Sequence, residues 1–215
     1  GLQAAVVGGS AYQFYLTKYA GVNPTNGNLL FYTKDGQLTE NPDRIEDRRL
    51  TGKASIPSYQ GGFSLDVKYK GFFMTSQFNF VADIYRFDYD LDNVQDPSDI
   101  GTFNKSKDLF NAWTPDNRDS EIPSLFLTNK AADSSSDRYL KNAAYLRLRF
   151  ASLGYDFSKS MLEKTPFSAV RAFVQGENLV TWSKWRGWDA ESSRASDQSS
   201  YPTSRIVSVG LEVQF

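Results

Sequence analysis

The feature that most constrains this chain is the stretch Ile206-Val207-Ser208-Val209-Gly210-Leu211-Glu212-Val213-Gln214-Phe215. At a period of two, Val207, Val209, Leu211, Val213 and Phe215 share one face and Ser208, Gly210, Glu212 and Gln214 share the other. Two folds accept such a strand. In a transmembrane barrel the apolar face meets lipid and the polar face meets the lumen. In a soluble sandwich or barrel it is a half-buried final strand.

Composition narrows the choice. The chain has 215 residues, enough for one large all-β unit or two small domains. No run approaches the roughly 18 apolar residues of a membrane helix, so insertion by helices is excluded. A transmembrane strand needs only about 9–11 alternating residues, so a mean hydropathy of -0.48 does not count against a barrel. The 16 Phe and 12 Tyr suit the interfacial girdles of an outer-membrane barrel, although soluble sugar-binding β-folds are also rich in aromatics.

With no Cys and no His, disulfides, thiolate metal sites, the commonest general base and the usual nucleophilic dyads are unavailable within the chain. A net charge of -1, from 24 basic and 25 acidic residues, leaves no electrostatic footprint for nucleic acid. Gly1 to Gly9 lack a signal-peptide n-region and core. An exported protein with this start is expected either to have lost a leader or to be part of a longer product.

Taken in order, Tyr12 to Tyr19 is a strand candidate, followed by turn signals at Asn23-Pro24, Asn26-Gly27 and Asp35-Gly36. The charged run from Glu40 to Arg49 is expected to be a solvated loop. Phe63, Leu65, Val67 and Tyr69 alternate with Ser64, Asp66 and Lys68; Lys70-Gly71 then turns the chain into a long strand expected over Phe72 to Arg86. Residues 87–142 form a turn-rich excursion that is awkward in a compact soluble domain and ordinary as an extracellular loop. Within it Asp88, Asp90 and Asp92 have the first spacings of a calcium loop, but Asn93 stands at the turn glycine and Asp99 at the closing Glu. Tyr145 to Tyr155 alternates and then slips in parity, which predicts a bulge near Ala151 or Ser152. A short connection to Ser168, with a helical turn at Met161-Leu162, leads to a strand over Val170 to Trp182, a polar loop over 183–204 and the closing strand. Connections therefore alternate long, short, long, short, long, the rhythm of a barrel with short periplasmic turns and long outer loops. In that scheme the carboxyl terminus is periplasmic.

Several runs, in order across nearly the whole chain, resemble the carboxyl-terminal barrel of SusC/RagA-type TonB-dependent transporters. They are Tyr19-Ala20-Gly21-Val22-Asn23-Pro24 with Asn26-Gly27, Gly52 to Pro57, Tyr59 to Phe63, Tyr69-Lys70-Gly71-Phe72 and Trp113-Thr114-Pro115-Asp116-Asn117. Tyr145 to Tyr155, Val170 to Leu179, Trp185-Arg186-Gly187-Trp188-Asp189 and Gly210 to Phe215 complete the set. Ala190 departs from the pattern, since the family usually has Pro after that Asp.

The resemblance implies an all-β chain of about six antiparallel strands from a 22-stranded plugged barrel, short of the smallest closed barrel of eight. Residues 1–215 would be the carboxyl-terminal barrel part, without the plug and amino-terminal domains. The implied partners are the rest of the transporter, a SusD-like surface lipoprotein, TonB acting through the absent amino-terminal part, outer-membrane lipid and a glycan or peptide substrate; nucleic acid is not among them. The implied location is the outer membrane of a Bacteroidetes-type Gram-negative cell. Trp185, Arg186, Trp188 and Asp189 are candidates for a substrate- or lid-facing loop, and Arg147, Arg149 and Glu177 for the lumen, the two arginines meeting plug carboxylates. Trp182 and Tyr155 are candidates for the interfacial belt, and Phe215 for the terminal aromatic read during barrel assembly. Neither catalysis, a cofactor nor a metal is expected. A soluble aromatic-rich carbohydrate-binding module and a passive porin-like barrel stay open as alternatives.

Overall fold

The structure, a computed structural model, describes residues 1–191 and 201–215. In chain order its strands are β1 (Gln3–Ala4), β2 (Gln13–Val22), β3 (Leu29–Tyr32), β4 (Leu38–Thr39), β5 (Arg48–Ala54) and β6 (Tyr59–Tyr69). There follow β7 (Phe72–Ala82), β8 (Tyr85–Phe87), β9 (Leu140–Asn142), β10 (Tyr145–Asp156), β11 (Ala169–Ser183) and β12 (Ile206–Gln214). Short helices α1 (Tyr89–Gln95), α2 (Lys130–Asp133) and α3 (Lys159–Leu162) lie in the connections. No helix among the described residues is long and apolar enough to cross a membrane. The chain forms two compact units.

The first unit joins Gly1–Pro57 to Asp83–Asn142. Its core is Phe14 and Leu16 of β2 with Phe87, Tyr139 and Leu140. The strand expected over residues 12–19 therefore exists and runs to Val22, but it pairs with β1, β3 and β5 rather than in the long sheet. Two runs read from sequence as separate loops come together here. Trp113 donates its indole N–H to the Pro24 carbonyl at 3.2 Å, and a Cβ at Gly27, whose φ is +77°, would lie 2.6 Å from the Trp113 ring. Asn23, Asn26 and Asn28 donate their side-chain amides to the Glu40 carboxylate at 2.6–2.8 Å and fix that turn. The charged run is only partly a solvated loop. Asp47 is buried and accepts the backbone N–H groups of Lys34 and Asp43, and Arg48 and Arg49 begin β5.

The expected calcium spacing folds differently. Asp88 caps α1 by accepting the Leu91 N–H, and Asp92 pairs with Lys130 at 2.5 Å. Deeper in the unit, Asp133 accepts from Arg138 at 2.7 Å and from the Ser136 hydroxyl at 2.6 Å. Arg138 lies over the rings of Tyr19 and Tyr139. This charge is tolerable in the interior because it is both paired and hydrogen-bonded.

The second unit is the long antiparallel sheet β12-β11-β10-β7-β6. Lys70 and Gly71, both at positive φ, make the two-residue hairpin that joins β6 to β7. The strand expected to run to Arg86 stops at Ala82, because Asp83 adopts φ +54° and β8 then pairs with β9 in a separate sheet. The long connections leave this sheet beside Tyr59, Ala82, Tyr145 and Ser183, and the short ones join its other end.

Residues opposite one another in the ladder share a face. One face carries Phe63, Leu65 and Val67 of β6 beside Phe78 and Met74 of β7. It continues through Leu148 and Leu153 of β10 and Val180 and Val174 of β11 to Val207, Val209 and Leu211 of β12. Ser76, the polar member, turns its hydroxyl onto the Leu65 carbonyl at 3.4 Å. The other face carries Ser64, Asp66 and Lys68 beside Gln77, Asn79, Arg147, Gln175, Ser208 and Glu212. Both faces of β6 are exposed along its whole length.

On the polar face Phe73, Gly154, Phe173 and Gly210 lie directly opposite one another across four strands. Each phenyl ring covers a glycine so closely that a Cβ on Gly154 or Gly210 would come within 2.4 Å and 2.2 Å of the ring carbons. At the adjacent rung Arg171 binds Asp156 at 2.6 Å and lies 3.7 Å from Glu212.

Candidate functional site

Arg147 and Arg149 stand on the polar face of β10, at the end from which the long connections leave. The parity slip read in this strand is present but displaced from Ala151. It falls between Leu148 and Phe150, where β10 has one extra residue against β7 and β11 has one extra against β10. In β11 the irregularity centres on Asn178, held at φ +53°, a conformation that Asn tolerates better than most residues. The bulge turns the Asn178 amide toward the site. Its oxygen accepts from Arg149 at 2.9 Å and its nitrogen donates to the Ser204 carbonyl at 3.0 Å.

The loop after β11 brings the matching negative charge. Asp189, buried, forms a very short ion pair with Arg147, also buried. Glu191 pairs with Arg149 at 2.5 Å and lies 2.8 Å from Arg147 Nη1. The latter contact is Coulombic, since Nη1 and Glu191 Oε2 are misaligned for a hydrogen bond. Burial alone would favour the neutral acid at Asp189. The Glu191 and Thr203 backbone N–H groups, at 2.9 and 3.1 Å, together with Arg147, overcome it and hold the carboxyl below its ordinary value. Two arginines on one strand thus clamp two carboxylates of one loop.

The clamp forms one wall of a cavity of about 420 Å³. Trp185 and Trp188 line it together with the polar residues Thr181, Ser183, Thr203 and Arg205. The Ser183 hydroxyl donates to the Ala144 carbonyl and accepts the Trp185 backbone N–H, which seats the loop on the end of β10. Trp188 is 68% exposed.

The candidate residues read from sequence therefore divide. Arg147, Asp189, Trp185 and Trp188 meet at this cavity, with Arg149 directly behind them; Arg186 and Glu177 are not among its lining. The partners expected for the two arginines were carboxylates of a plug, and those found are Asp189 and Glu191 of the chain itself. Glu177 sits on the sheet between Phe150 and Ile206. Trp182 and Tyr155 lie at opposite ends of the apolar face, across from Leu146 and Phe72. Phe215 packs edge-on against Phe167.

Sequence reasoning missed Asn178, Glu191, Thr203 and Arg205. For Glu191 a signal existed. Arg147 and Arg149 have the same i, i+2 spacing as Asp189 and Glu191, which matches two charges of each sign. For Asn178 the signal was Gly176 and Asn178 inside a strand, residues that mark bulges.

No family model matches the chain. TonB-dependent receptor P3 of Formosa agariphila is 30% identical to it over 181 residues, which are 79% of this chain and 17% of that receptor. TonB-dependent receptor SusC of Bacteroides thetaiotaomicron is 28% identical over 221 residues, covering 100% of this chain and 20% of that protein. The fold is similar to the solved RagAB peptide importer in its 'closed-closed' state, with TM-score 0.83 and 26% identity over 94% of this chain and 23% of that one. The 'open-open' state of the same importer is also matched at TM-score 0.83. The chain spans about a fifth of the length of the curated relatives it matches.

Proposed function

We propose that this chain, which belongs with the SusC/RagA-type TonB-dependent receptors, forms the carboxyl-terminal stretch of the barrel wall of an outer-membrane transporter that imports oligomeric nutrients. One observation carries this reading: one face of the long sheet is apolar apart from Ser76, and the other collects the polar and charged residues around the Phe73 and Phe173 rings. Lipid on one side and an aqueous, plugged lumen on the other account for both faces. Tyr59 and Tyr69, ten residues apart on β6, would stand at the two membrane surfaces. At about 3.3 Å per residue and a tilt of about 40° they are separated by about 25 Å along the bilayer normal, the height of the apolar band in such barrels.

In this reading β6 and β12 pair with strands from the remainder of the barrel, because a free edge in lipid costs several kcal/mol per unsatisfied backbone group. The long connections face outward and the carboxyl terminus faces the periplasm. Trp182 belongs to the outer belt of aromatics, and Tyr155, with Phe72 and Phe157, to the inner one. Phe215 serves as the terminal aromatic of assembly. TonB drives import through the amino-terminal part, a SusD-like lipoprotein covers the outer mouth, and the substrate is a glycan fragment or a peptide. The cavity lined by Trp185 and Trp188 faces that substrate, and the arginine–carboxylate clamp positions it.

The test is made in a Bacteroidetes host with the full-length gene and an epitope-tagged copy. The reading expects the protein in the outer-membrane fraction, a lipoprotein copurifying with it, and growth on one oligomeric nutrient that is lost when TonB is depleted. Uptake that continues without TonB would replace it with a passive pore.

A further inference from the structure

We propose that the cavity beside the clamp takes a carboxylate-bearing ligand, held by Arg205 with its flat or apolar part against Trp185 and Trp188; this rests on the reading of the cavity as substrate-facing. Charge balance around the cavity points to Arg205. Arg147 is neutralised by Asp189 and Glu191, and Arg149 by Glu191 and the Asn178 oxygen. These side chains hold the wall together and have no charge left to offer.

Arg205 is different. It lines the same cavity, is exposed, and makes no hydrogen bond or ion pair among the described residues. It stands one residue before β12, whose pairing with β11 fixes its backbone. Among the described residues that line it, the cavity therefore presents one uncompensated guanidinium, beside two tryptophans. A guanidinium meets a carboxylate through two parallel N–H···O bonds, and an indole offers a flat apolar face that few other side chains match. A neutral ligand would leave Arg205 to water, and a cationic one would be repelled by it. The volume of about 420 Å³ lies within the range of about 300–1,000 Å³ typical of small-ligand sites, which suits one or two units of an oligomer rather than a whole chain.

Two kinds of oligomer carry this chemistry: an oligosaccharide of acidic sugars, and a peptide with a free carboxylate. The experiment uses the purified full-length transporter with its copurifying partner and two matched pairs of probes. One pair is tetragalacturonate against the neutral galactose tetramer. The other is a pentapeptide with a free carboxyl terminus against its carboxyl-terminal amide. In one pair the acid is expected to bind roughly tenfold tighter or better than its neutral match, the usual strength of a hydrogen bond to a charged group, and that pair identifies the source. Arg205→Gln is expected to abolish the preference by lowering affinity for the acid member of the pair, and Arg205→Lys to restore part of it. Trp188→Ala is expected to weaken both members of the pair.

Equal binding of acid and neutral probes in both pairs, or binding of none, would overturn the proposal. So would a preference that survives Arg205→Gln. If Arg205→Gln changes nothing while Trp188→Ala still weakens binding, the anion preference falls and the substrate-facing cavity stands. If neither variant affects any bound probe, both fall.

Discussion

Arg147 and Asp189 are 42 residues apart in sequence and form an ion pair in which both side chains are buried, 4% and 8% exposed. The pair ties the loop after β11 to the polar face of β10. Because each charge is enclosed, removing one strands the other, and that penalty, rather than the worth of the pair, dominates. Arg147→Ala is expected to lower the local opening free energy of residues 183–191 by about 3 kcal/mol. Hydrogen exchange in the full-length transporter would show faster exchange there and unchanged protection in β7. Equal loss across the whole sheet would mean that the arginine supports the wall itself.

The same pair sets a pH dependence. The Asp189 carboxyl is held below its ordinary value of 3.8 in the folded state. Its contribution is therefore fully present above that value and is lost as the pH falls through 3.8 toward the lower folded value. Fluorescence of Trp185 and Trp188 is expected to be flat from neutrality to about pH 5 and to change below about pH 4. Asp189→Asn should remove that acid transition. A transition near pH 6 would assign the change to another group.

The ladder of Phe73, Gly154, Phe173 and Gly210 predicts a pair of coupled substitutions. The nearest atoms to a Cβ at Gly210 belong to the Phe173 ring, whereas a Cβ at Gly154 meets the Phe73 ring and also the Ala172 carbonyl at 2.5 Å. Overpacking of this kind costs about 1–3 kcal/mol. Phe173→Leu is expected to rescue Gly210→Ala in heat-modifiability gels of the assembled barrel, whereas Phe73→Leu is expected to leave Gly154→Ala defective. Identical rescue of both would show that the backbone clash is relieved by movement of the strand.

In the first unit the Tyr139 hydroxyl is buried without a hydrogen-bond partner among the described residues, although its ring lies 4.8 Å from the Arg138 guanidinium. Tyr139→Phe keeps the ring and deletes an unsatisfied group, so its cost should be close to zero, within about 1 kcal/mol. Arg138→Ala leaves the buried Asp133 with the Lys130 ammonium, 3.6 Å away, as its remaining counter-charge, and its cost should be about 3 kcal/mol, the low end for a broken buried pair. Limited proteolysis of 83–142 in the two variants separates them. Comparable resistance would refute the role given to Asp133 and Arg138.

Much of the long sheet was legible in sequence because alternation is local. Phe63 to Tyr69 and Val207 to Val213 each display their two faces without reference to a partner, and Lys70-Gly71 specifies its own turn. What failed depended on distant pairing. Residues 12–19 alternate as a barrel strand would, yet Thr17 is engaged by Ser135 and Asp137, more than a hundred residues away. Asp83 ends β7 through a backbone conformation that its side chain does not announce. The slip in β10 was visible as a parity error, but its place was set by Asn178 on the neighbouring strand. Arg147 and Arg149 were recognised as polar-face residues, while their carboxylates lay in a loop that strand periodicity cannot position.

In a barrel wall, one face of the long sheet meets lipid and the other meets water. The chain contains no Cys, so single cysteines report from a clean background within it. The most direct measurement is a cysteine scan of residues 63–68 on β6 in the full-length transporter, each labelled with an environment-sensitive fluorophore and exposed to lipid-borne and aqueous quenchers. Positions 63, 65 and 67 are expected to be quenched from lipid, and 64, 66 and 68 from water. Leu65→Arg should then cost about 2–4 kcal/mol near the bilayer midplane while Ser64→Arg is tolerated. Quenching from water at all six positions, or the opposite parity, would contradict the membrane wall.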